Sequence, residues 1–257
     1  MRAPLLSRLW RSRVPVAAGL PDRVDRVYAI GDVHGDLDRL LRLEGLIRAD
    51  AARTGAAPDR SAILLLGDVI DRGPLSAHLL DHLLRAAPEL PERVLLRGNH
   101  EQMLLDLLDG RGDPDGWLRL GGEATLRSYE LDLPPLRGGR RISRLRELMP
   151  ERHVALLRAA PLLLVHGGAL YSHAGGDPSL PLARQGTTHL LERRARPEEG
   201  RTRPVHGLLS VHGHQPVQEP DLSAWRANLD TSAAQPSRIT CACVCVVNNN
   251  IETVFSA

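Results

Sequence analysis

The sequence predicts an α/β fold built on parallel strands. Between residues 27 and 108, a short apolar run, a polar segment and a stretch of helical periodicity follow one another three times. Units of this kind pack their strands in parallel through right-handed crossovers. Apolar runs at 223–229, 239–247 and 251–255 are typical of closing strands, and we expect these strands to be antiparallel.

Local signals predict the individual elements. Strands are expected at 27–30, 62–66 and 92–96, and the unbroken apolar run at 62–66 indicates a strand that is buried on both faces. Asp36 is placed to cap the first helix and Pro74 to open the second. The remaining predictions are helices at 103–108, 117–130 and 143–158, a hairpin at 162–172, a surface loop at 184–206 and a strand at 208–211.

We expect a single domain at 24–257, with a helical insertion at about 113–160. The first 21 residues carry four arginines and no acidic residue. We interpret 1–23 as a disordered basic tail, with a membrane-surface or partner-docking segment as the alternative. The apolar run at 14–20 is too short to cross a bilayer, and we expect no transmembrane segment. A formal net charge of only +2 gives no indication of a nucleic-acid partner.

The three cysteines of the chain, Cys241, Cys243 and Cys245, lie two residues apart in one apolar run. On a strand this spacing turns all three side chains to the same face. Neighbours on one strand face are poorly oriented for a disulfide. We therefore expect buried reduced thiols and a cytoplasmic protein.

Polar side chains collect where the predicted strands end. Asp68, Asp71 and Arg72 follow the second strand within five residues, and a strand end of this composition is better suited to chemistry than to packing. Functional residues of parallel sheets gather at these carboxyl ends. The candidate metal ligands among them are Asp32, His34, Asp68, Asn99, His173 and His214.

This mixed set of oxygen and nitrogen ligands predicts two divalent transition-metal ions. Such a set suits manganese, with iron or zinc as alternatives, better than magnesium or calcium. It contains no thiolate, which argues against a closed structural zinc site. Two such ions about 3.5–4 Å apart can clamp a phosphoryl group for in-line attack.

Five sequence blocks resemble, in order, the signatures of the calcineurin-like metallophosphoesterases. They are Gly31-Asp32-Val33-His34-Gly35, Gly67-Asp68-Val69-Ile70-Asp71-Arg72-Gly73, Gly98-Asn99-His100-Glu101, His173-Ala174-Gly175 and Gly213-His214. The resemblance runs from about residue 25 to 256, and it is strongest to bacterial and phage serine/threonine phosphatases and symmetrical diadenosine tetraphosphate hydrolases. It implies a four-layer α/β/β/α sandwich, in which two facing mixed sheets are flanked by helices.

The resemblance also implies a role for each ligand. Asp32 and His34 would bind the first metal, and Asp68 would bridge both. Asn99, His173 and His214 would complete the second site. A metal-bridging hydroxide would attack the phosphorus directly, so no phosphoenzyme is expected.

The resemblance makes His100 the general acid that protonates the leaving oxygen, oriented by Asp71. A carboxylate beside an imidazole supports this role, because it raises the affinity of the ring for its proton. Arg72 and Arg97 would hold the phosphate oxygens, which match a planar guanidinium. Many relatives carry a tryptophan and then an arginine before the last histidine block. Here a glutamate replaces the tryptophan, and Arg194 is the candidate for the additional phosphate-binding arginine.

Two pairs of histidines compete for the same predicted ligand positions. His166 and His173 lie at opposite ends of a short strand, about 13 Å apart, so only one can reach the cluster. The resemblance selects His173, and it selects His214 over His212, which becomes a second-layer or core residue. His166 is then interpreted as a turn residue.

The function predicted from this combination is that of a phosphoester hydrolase with two metal ions. We expect a serine/threonine-type protein phosphatase or phosphomonoesterase, acting on a phosphorylated protein or a small phosphoester. A symmetrical dinucleoside tetraphosphate hydrolase is the alternative. A catalytically silent metal-binding scaffold is a remote alternative, since every expected ligand and His100 are present.

Overall fold

The computed structural model describes residues 19–130, 138–196, 198–199, 204, 206–235, 237–248 and 250–257. Most of the predicted tail at 1–23 therefore lies outside the described residues. The strands are β1 (Arg26–Ile30), β2 (Ser61–Leu65), β3 (Glu92–Leu95), β4 (Leu163–His166), β5 (Ala169–Ser172), β6 (Leu209–His212), β7 (Asp221–Ser223), β8 (Arg226–Asn228), β9 (Thr240–Cys245) and β10 (Asn250–Ser256). The α-helices are α1 (Leu37–Thr54), α2 (Ser76–Leu84), α3 (Asn99–Leu108), α4 (Pro114–Trp117), α5 (Glu123–Ser128), α6 (Gly138–Leu148) and α7 (Glu151–Ala159).

The strands form two mixed sheets of five strands each. The first has the order β10-β9-β1-β2-β3, and the second has the order β4-β5-β6-β8-β7. In the first sheet β1, β2 and β3 are parallel, as the repeated units predict. The closing strands β9 and β10 pair antiparallel, which confirms the prediction for both.

The run at 223–229 is not the single antiparallel strand that we expected. It contributes to a hairpin of β7 and β8, in which Ser223 pairs with Arg226. Strand β8 then runs parallel to β6 and antiparallel to β7. No glycine or proline marks this reversal in the sequence, so the local pattern carries no signal for the turn.

Side chains of the first sheet alternate between two apolar layers. On β1, Tyr28 and Ile30 pack toward the helices, whereas Val27 and Ala29 pack toward the second sheet. The cysteines of β9 follow the same rule, because Cys241 and Cys243 are buried on the helix side. All three cysteines are free thiols, as predicted. The period of two along each strand thus separates the core into an inter-sheet layer and a helix-facing layer.

The second sheet is covered on its outer face by short helical turns. Leu182, Leu190 and Leu191, from turns at 182–184 and 188–192, pack there against Leu163 and Leu170. Helices, two facing sheets and this outer cover form the predicted four-layer arrangement. Within the described ranges, no helix combines the length and the apolar character that crossing a lipid bilayer requires.

Two helices begin at positions that the sequence did not predict. Helix α2 begins at Ser76 rather than at Pro74, because the preceding backbone bonds across to the first polar loop. The amide of Gly73 donates to the carbonyl of His34, and that of Leu75 donates to the carbonyl of Gly35. Helix α3 begins at Asn99, four residues before the predicted start, which places the third polar cluster in its first turn.

The helices predicted at 117–130 and 143–158 are present but interrupted. The run at 117–130 breaks at Gly121, whose φ of 118° is not helical. The run at 143–158 is divided between α6 and α7, with Pro150 at the N-terminal boundary of α7. Both interruptions occur at residues that disfavour continuous helix.

Burial in the inter-sheet layer should contribute strongly to the stability of the protein. We expect Leu64→Ala to lower the free energy of unfolding by about 2–5 kcal/mol, because Leu64 is fully buried between the sheets and the substitution leaves a cavity. Leu222→Ala is the matched control, since Leu222 is 43% exposed and should change stability little. Urea unfolding of both variants measures the difference, and equal effects would contradict this assignment of the core.

Candidate metal centre

The polar clusters of both sheets meet at the carboxyl ends of their strands. Asp32 follows β1, Asp68 follows β2 and Asn99 follows β3. From the second sheet, His173 follows β5 and His214 follows β6. Because the two sheets face each other, these ends converge on one site.

Asp32 and Asp68 are both buried and use their oxygens in the same way. Asp32 Oδ1 accepts a hydrogen bond from the amide of His214, and Asp68 Oδ1 accepts one from the amide of His100, each at 3.0 Å. Their Oδ2 atoms face imidazoles instead. Asp68 Oδ2 lies 3.3 Å from His173 Nε2 and 3.9 Å from His34 Nε2.

The histidine rings are oriented by backbone carbonyls. His34 Nδ1 lies 3.0 Å from the carbonyl oxygen of Ile70, and His173 Nδ1 lies 3.0 Å from that of Leu66. A carbonyl can only accept, so each Nδ1 carries a proton and each Nε2 faces the centre. His34 Nε2 is buried and has no hydrogen-bond partner, which is a costly arrangement unless another group binds there.

Asn99 joins the remaining ligands. Its Oδ1 lies 2.9 Å from His173 Nε2 and also 2.9 Å from His214 Nδ1. Asp68 therefore belongs to two groups of potential ligand atoms, one formed with His34 and His100 and the other with His173 and His214. Atoms within each group lie within 4.8 Å of one another. The unpartnered His34 nitrogen and the Asp68 carboxylate, which both groups share, fit a centre that could hold two metal ions.

Burial and charge set the protonation of these side chains. Burial lowers the pKa of His34 to about 3 and, with the charge of His173, lowers the pKa of His214 to about 4. Neutral imidazoles are the form that binds metals. Burial alone would lower the pKa of His173, but the Asp68 charge raises it to about 10. In this arrangement a proton on His173 offsets the negative charge of the Asp68 carboxylate, and a bound cation can offset that charge instead.

His100 and Asp71 form a buried pair beside the candidate ligands. His100 Nδ1 lies 2.7 Å from Asp71 Oδ2, and its Nε2 lies 3.8 Å from Asp68 Oδ2 and 3.3 Å from Arg72 Nη2. Burial alone would lower the pKa of His100, but the charge of Asp68 and the hydrogen bond to Asp71 raise it. The pair therefore favours a protonated imidazole whose free nitrogen faces both the centre and an exposed arginine.

The insertion holds Asp71 in place, which sequence reasoning did not foresee. Trp117 Nε1 donates to Asp71 Oδ2 at 2.7 Å, and Thr125 Oγ1 donates to Oδ1 at 2.6 Å. Asp71 is fully buried. Its backbone amide also donates to Ser76 and Thr125. Helices α4 and α5 thus orient the carboxylate that orients His100.

Glu101 is a second residue whose role the sequence did not reveal. Its two oxygens accept from the amides of Asp68, Val69 and Ile70 at 2.8, 2.9 and 3.3 Å, and from Gly98 at 2.8 Å. One fully buried carboxylate therefore connects the loop after β2 to the loop after β3. The Gly-x-x-Glu spacing of a capping box was the available signal, but the contacts with the other loop are not local.

The backbone of the site is held in an unusual conformation. His34, Asp68, Asp71, Arg72 and His214 all have φ between 47° and 69°. Left-handed backbone is costly for residues with a Cβ, and its concentration here indicates a function that requires it. Two glycines let the loops approach, because a Cβ at Gly98 would lie 2.1 Å from Asp68 Oδ1 and one at Gly213 would lie 2.1 Å from Asp32 Oδ1.

The other predicted residues occupy different surroundings. The Arg97 guanidinium donates to Gln102 and to the carbonyl of Arg158, so its phosphate-binding role stays a prediction. Arg194 is exposed, and its charge contributes to the lowered pKa of His214 after burial and His173. The two histidines that were not selected as ligands have partners outside the candidate ligand set. His166 Nε2 bonds the carbonyl of Val24. His212 Nε2 accepts from Arg226.

Sequence relatives of this chain include nucleotide hydrolases and a protein phosphatase. An asymmetrical bis(5'-nucleosyl)-tetraphosphatase of the PrpE type from Bacillus cereus is 26% identical over 82% of this chain and 87% of its own length. A symmetrical bis(5'-nucleosyl)-tetraphosphatase from Paracidovorax citrulli is 32% identical over 59% of the chain. A PP2A-like serine/threonine-protein phosphatase from Candida albicans is 37% identical over 29% of it. The matches span only 52% and 16% of these last two proteins.

Solved structures show the same fold at low identity. A candidate diadenosine tetraphosphatase superposes with a TM-score of 0.61 and 18% identity, covering 95% of this chain and 97% of the other. A cold-active protein tyrosine phosphatase gives a TM-score of 0.54 and 16% identity, covering 99% of this chain and 83% of the other. The family model described as calcineurin-like phosphoesterase matches residues 25–256. The chain therefore belongs to the calcineurin-like phosphoesterase family, as its five sequence blocks predict.

Proposed function

We propose that the protein is a phosphoester hydrolase that works with two divalent metal ions. The observation that carries this proposal is the buried Asp68 carboxylate, shared by two groups of imidazole and carboxylate ligands. Asp32 and His34 would hold the first ion with Asp68. Asn99 and His173, together with His214, would hold the second. Relatives of the chain are phosphate-ester and polyphosphate hydrolases by name, which supports the same chemistry.

The residues around the ligands supply the other parts of a hydrolytic site. When bound, two such ions neutralise charge on a phosphoryl group and lower the pKa of a coordinated water. His100 Nε2 lies next to the centre, and Asp71, hydrogen-bonded at Nδ1, keeps the ring in that orientation. Arg72 is exposed at the rim and can bind phosphate oxygens. His100 would then donate its proton to the leaving oxygen.

The cleft next to this centre favours a phosphomonoester or phosphoprotein substrate. It has a volume of about 150 Å³, and its lining residues are Val33, His34, Asp36, Arg72, Gly73, Ser232 and Ser237. No Trp, Tyr or Phe ring belongs to this described lining, so a nucleobase has no large aromatic surface to stack on there beyond the His34 imidazole and the Arg72 guanidinium. A small phosphoryl group, or the exposed side chain of a phosphoprotein, needs no such surface.

The second candidate is a dinucleoside tetraphosphate hydrolase. The observation that favours it is the B. cereus relative, which matches along most of both chains and is named for that activity. The catalytic arrangement suits both substrate classes, because each presents a phosphoryl group and a leaving oxygen. Discrimination must come from the rim of the site.

We also propose manganese as the native metal and the cytosol as the compartment. Iron and zinc fit the same mixture of nitrogen and oxygen ligands. The free thiols of Cys241, Cys243 and Cys245 are consistent with a reducing compartment.

Removing the Asp68 carboxylate should abolish metal binding. In Asp68→Asn we expect the affinity for Mn²⁺ to fall by about 100-fold or more, because the ligand shared by both sites is lost. Isothermal titration calorimetry on chelator-treated protein measures the affinity, and turnover of an aryl phosphate should fall with it. Chelation of the parent protein should also stop turnover, and Mn²⁺ should restore it. A parent that binds two ions but shows no turnover would support the silent scaffold instead.

Removing the Asp71 carboxylate should cost rate while metals stay bound. For Asp71→Asn we expect kcat to fall by about 10²–10⁴-fold, because His100 loses the group that orients it and favours its protonation. Mn²⁺ affinity should stay near that of the parent. Asp81→Asn is the matched control, since Asp81 also contacts a buried histidine, His153 at 3.0 Å, away from the candidate ligands. Equal activity of the Asp71 and Asp81 variants would contradict the role of Asp71.

A side-by-side comparison of substrates separates the two candidate functions. We expect higher kcat/KM for phosphoserine, phosphothreonine or phosphotyrosine peptides than for diadenosine tetraphosphate, because the described lining of the cleft lacks a Trp, Tyr or Phe ring on which a base could stack. The Mn²⁺-loaded protein should be used for all four. A kcat/KM at least tenfold higher for the dinucleotide would overturn the preference and support the second candidate.

A further inference from the structure

Asp230 is a buried carboxylate that neither the predicted metal ligands nor the proposed acid uses. It follows β8 and is 1% exposed. Its Oδ1 accepts hydrogen bonds from the amide of Ser232 at 3.1 Å and from the hydroxyl of Ser232 at 2.7 Å. Its Oδ2 is buried and has no hydrogen-bond partner. A turn-capping role explains the first oxygen but not the second, which pays a desolvation cost with nothing to offset it.

The backbone places Asp230 next to the first candidate metal site. A Cβ on Gly31 would lie 2.2 Å from the carbonyl oxygen of Leu229 and 3.3 Å from the amide nitrogen of Asp230. Gly31 directly precedes Asp32, so the chain after β8 runs against the chain that carries this ligand. The amide of Leu229 also donates to the carbonyl of His212 at 2.8 Å, which ties the same segment to the strand before His214.

The charges around Asp230 point in the same direction. Asp32, which directly follows Gly31, is itself a buried carboxylate. Across the described residues, neither Asp32 nor Asp230 forms an ion pair with an arginine. Other buried carboxylates of the region are compensated, since Glu101 accepts four amides and Asp71 is bonded by Trp117, Thr125 and His100.

We propose that Asp230 is an additional anionic residue of the metal centre, whose free oxygen helps to hold a divalent cation on the Asp32 side. The inference rests on the proposed two-metal function. A cation there offsets both buried carboxylates at once, which no arginine of the described residues does. Asp230 therefore contributes to affinity for one of the two ions, and its role at the other ion is small.

The test is Asp230→Asn, which keeps an oxygen for the Ser232 hydrogen bonds but removes the charge. Titration of the chelator-treated protein with Mn²⁺ should show one of two ions bound about 10–100-fold more weakly, with the other unchanged. Thermal unfolding adds a second measurement, in which the variant should behave differently without and with metal. Without metal the midpoint should stay or rise, because an uncompensated buried charge is gone. The stabilisation by Mn²⁺ should shrink by an amount that follows the logarithm of the lost affinity.

Two controls separate charge from structure. Ser232→Ala weakens the hydrogen bonding of Oδ1 and leaves the carboxylate, so Mn²⁺ affinity should stay near that of the parent. Asp38→Asn removes an exposed aspartate of α1 and tests the effect of net charge alone. Asp230→Ser is a second neutral variant, to be used if the Asp230→Asn protein does not fold.

The outcomes distinguish this inference from the proposed function. A lower unfolding midpoint without metal, together with unchanged Mn²⁺ affinity, would make Asp230 a turn-capping residue and overturn the inference alone. A parent protein that binds no Mn²⁺ would overturn both the inference and the proposed function. Selective weakening of one ion in the neutral Asp230 variants, and in neither control, supports it.

Discussion

The Asp68 carboxylate is buried at the junction of two sheets, and the arrangement around it follows from that burial. A carboxylate removed from water must be compensated by hydrogen bonds or opposite charge. Here the amide of His100 bonds one oxygen, and the imidazole of His173 lies 3.3 Å from the other. No arginine forms an ion pair with it within the described residues, and the chain contains no lysine. The remaining positive charge has to come from protonated imidazoles or from bound metal.

Meeting this constraint explains the strained loops of the site. Left-handed backbone at residues such as Asp68 and His34 costs about 1–2 kcal/mol per residue, and it persists only where the surroundings enforce it. Glu101 provides part of that enforcement, because its carboxylate bonds three successive amides of the Asp68 loop. Gly98 permits the contact by leaving room for the Asp68 oxygen. Rigid loops of this kind hold ligand atoms near their binding geometry before any ligand arrives.

Helices α4 and α5 enforce the position of the proposed acid in a similar way. Trp117 and Thr125 bond both oxygens of Asp71, and Asp71 bonds His100. A change in the insertion can therefore alter the protonation or orientation of His100 without contacting the metal ligands. This connection offers a physical route by which helices far apart in sequence from the strands could tune the rate of the reaction.

Much of the architecture could be predicted from the sequence because its signals are local. Period-two and helical patterns indicate the parallel strands, and strand-end carboxylates and imidazoles indicate where chemistry gathers. The contacts of Glu101 with the loop after β2 and of Trp117 with Asp71 could not be predicted, since they join residues more than 30 positions apart through side-chain geometry. The β7–β8 hairpin was missed for a different reason, because its turn lacks glycine and proline. The unpartnered oxygen of Asp230 is likewise visible only once the chain is folded.

The most direct test of the account is a crystal structure of the Mn²⁺-loaded protein with anomalous scattering data. We predict two manganese peaks about 3.5–4 Å apart, with the Asp68 carboxylate between them. His34 should coordinate one ion, and His173 and His214 the other. A single ion, or two ions of which only one contacts Asp68, would contradict the central claim that this carboxylate bridges a dinuclear centre.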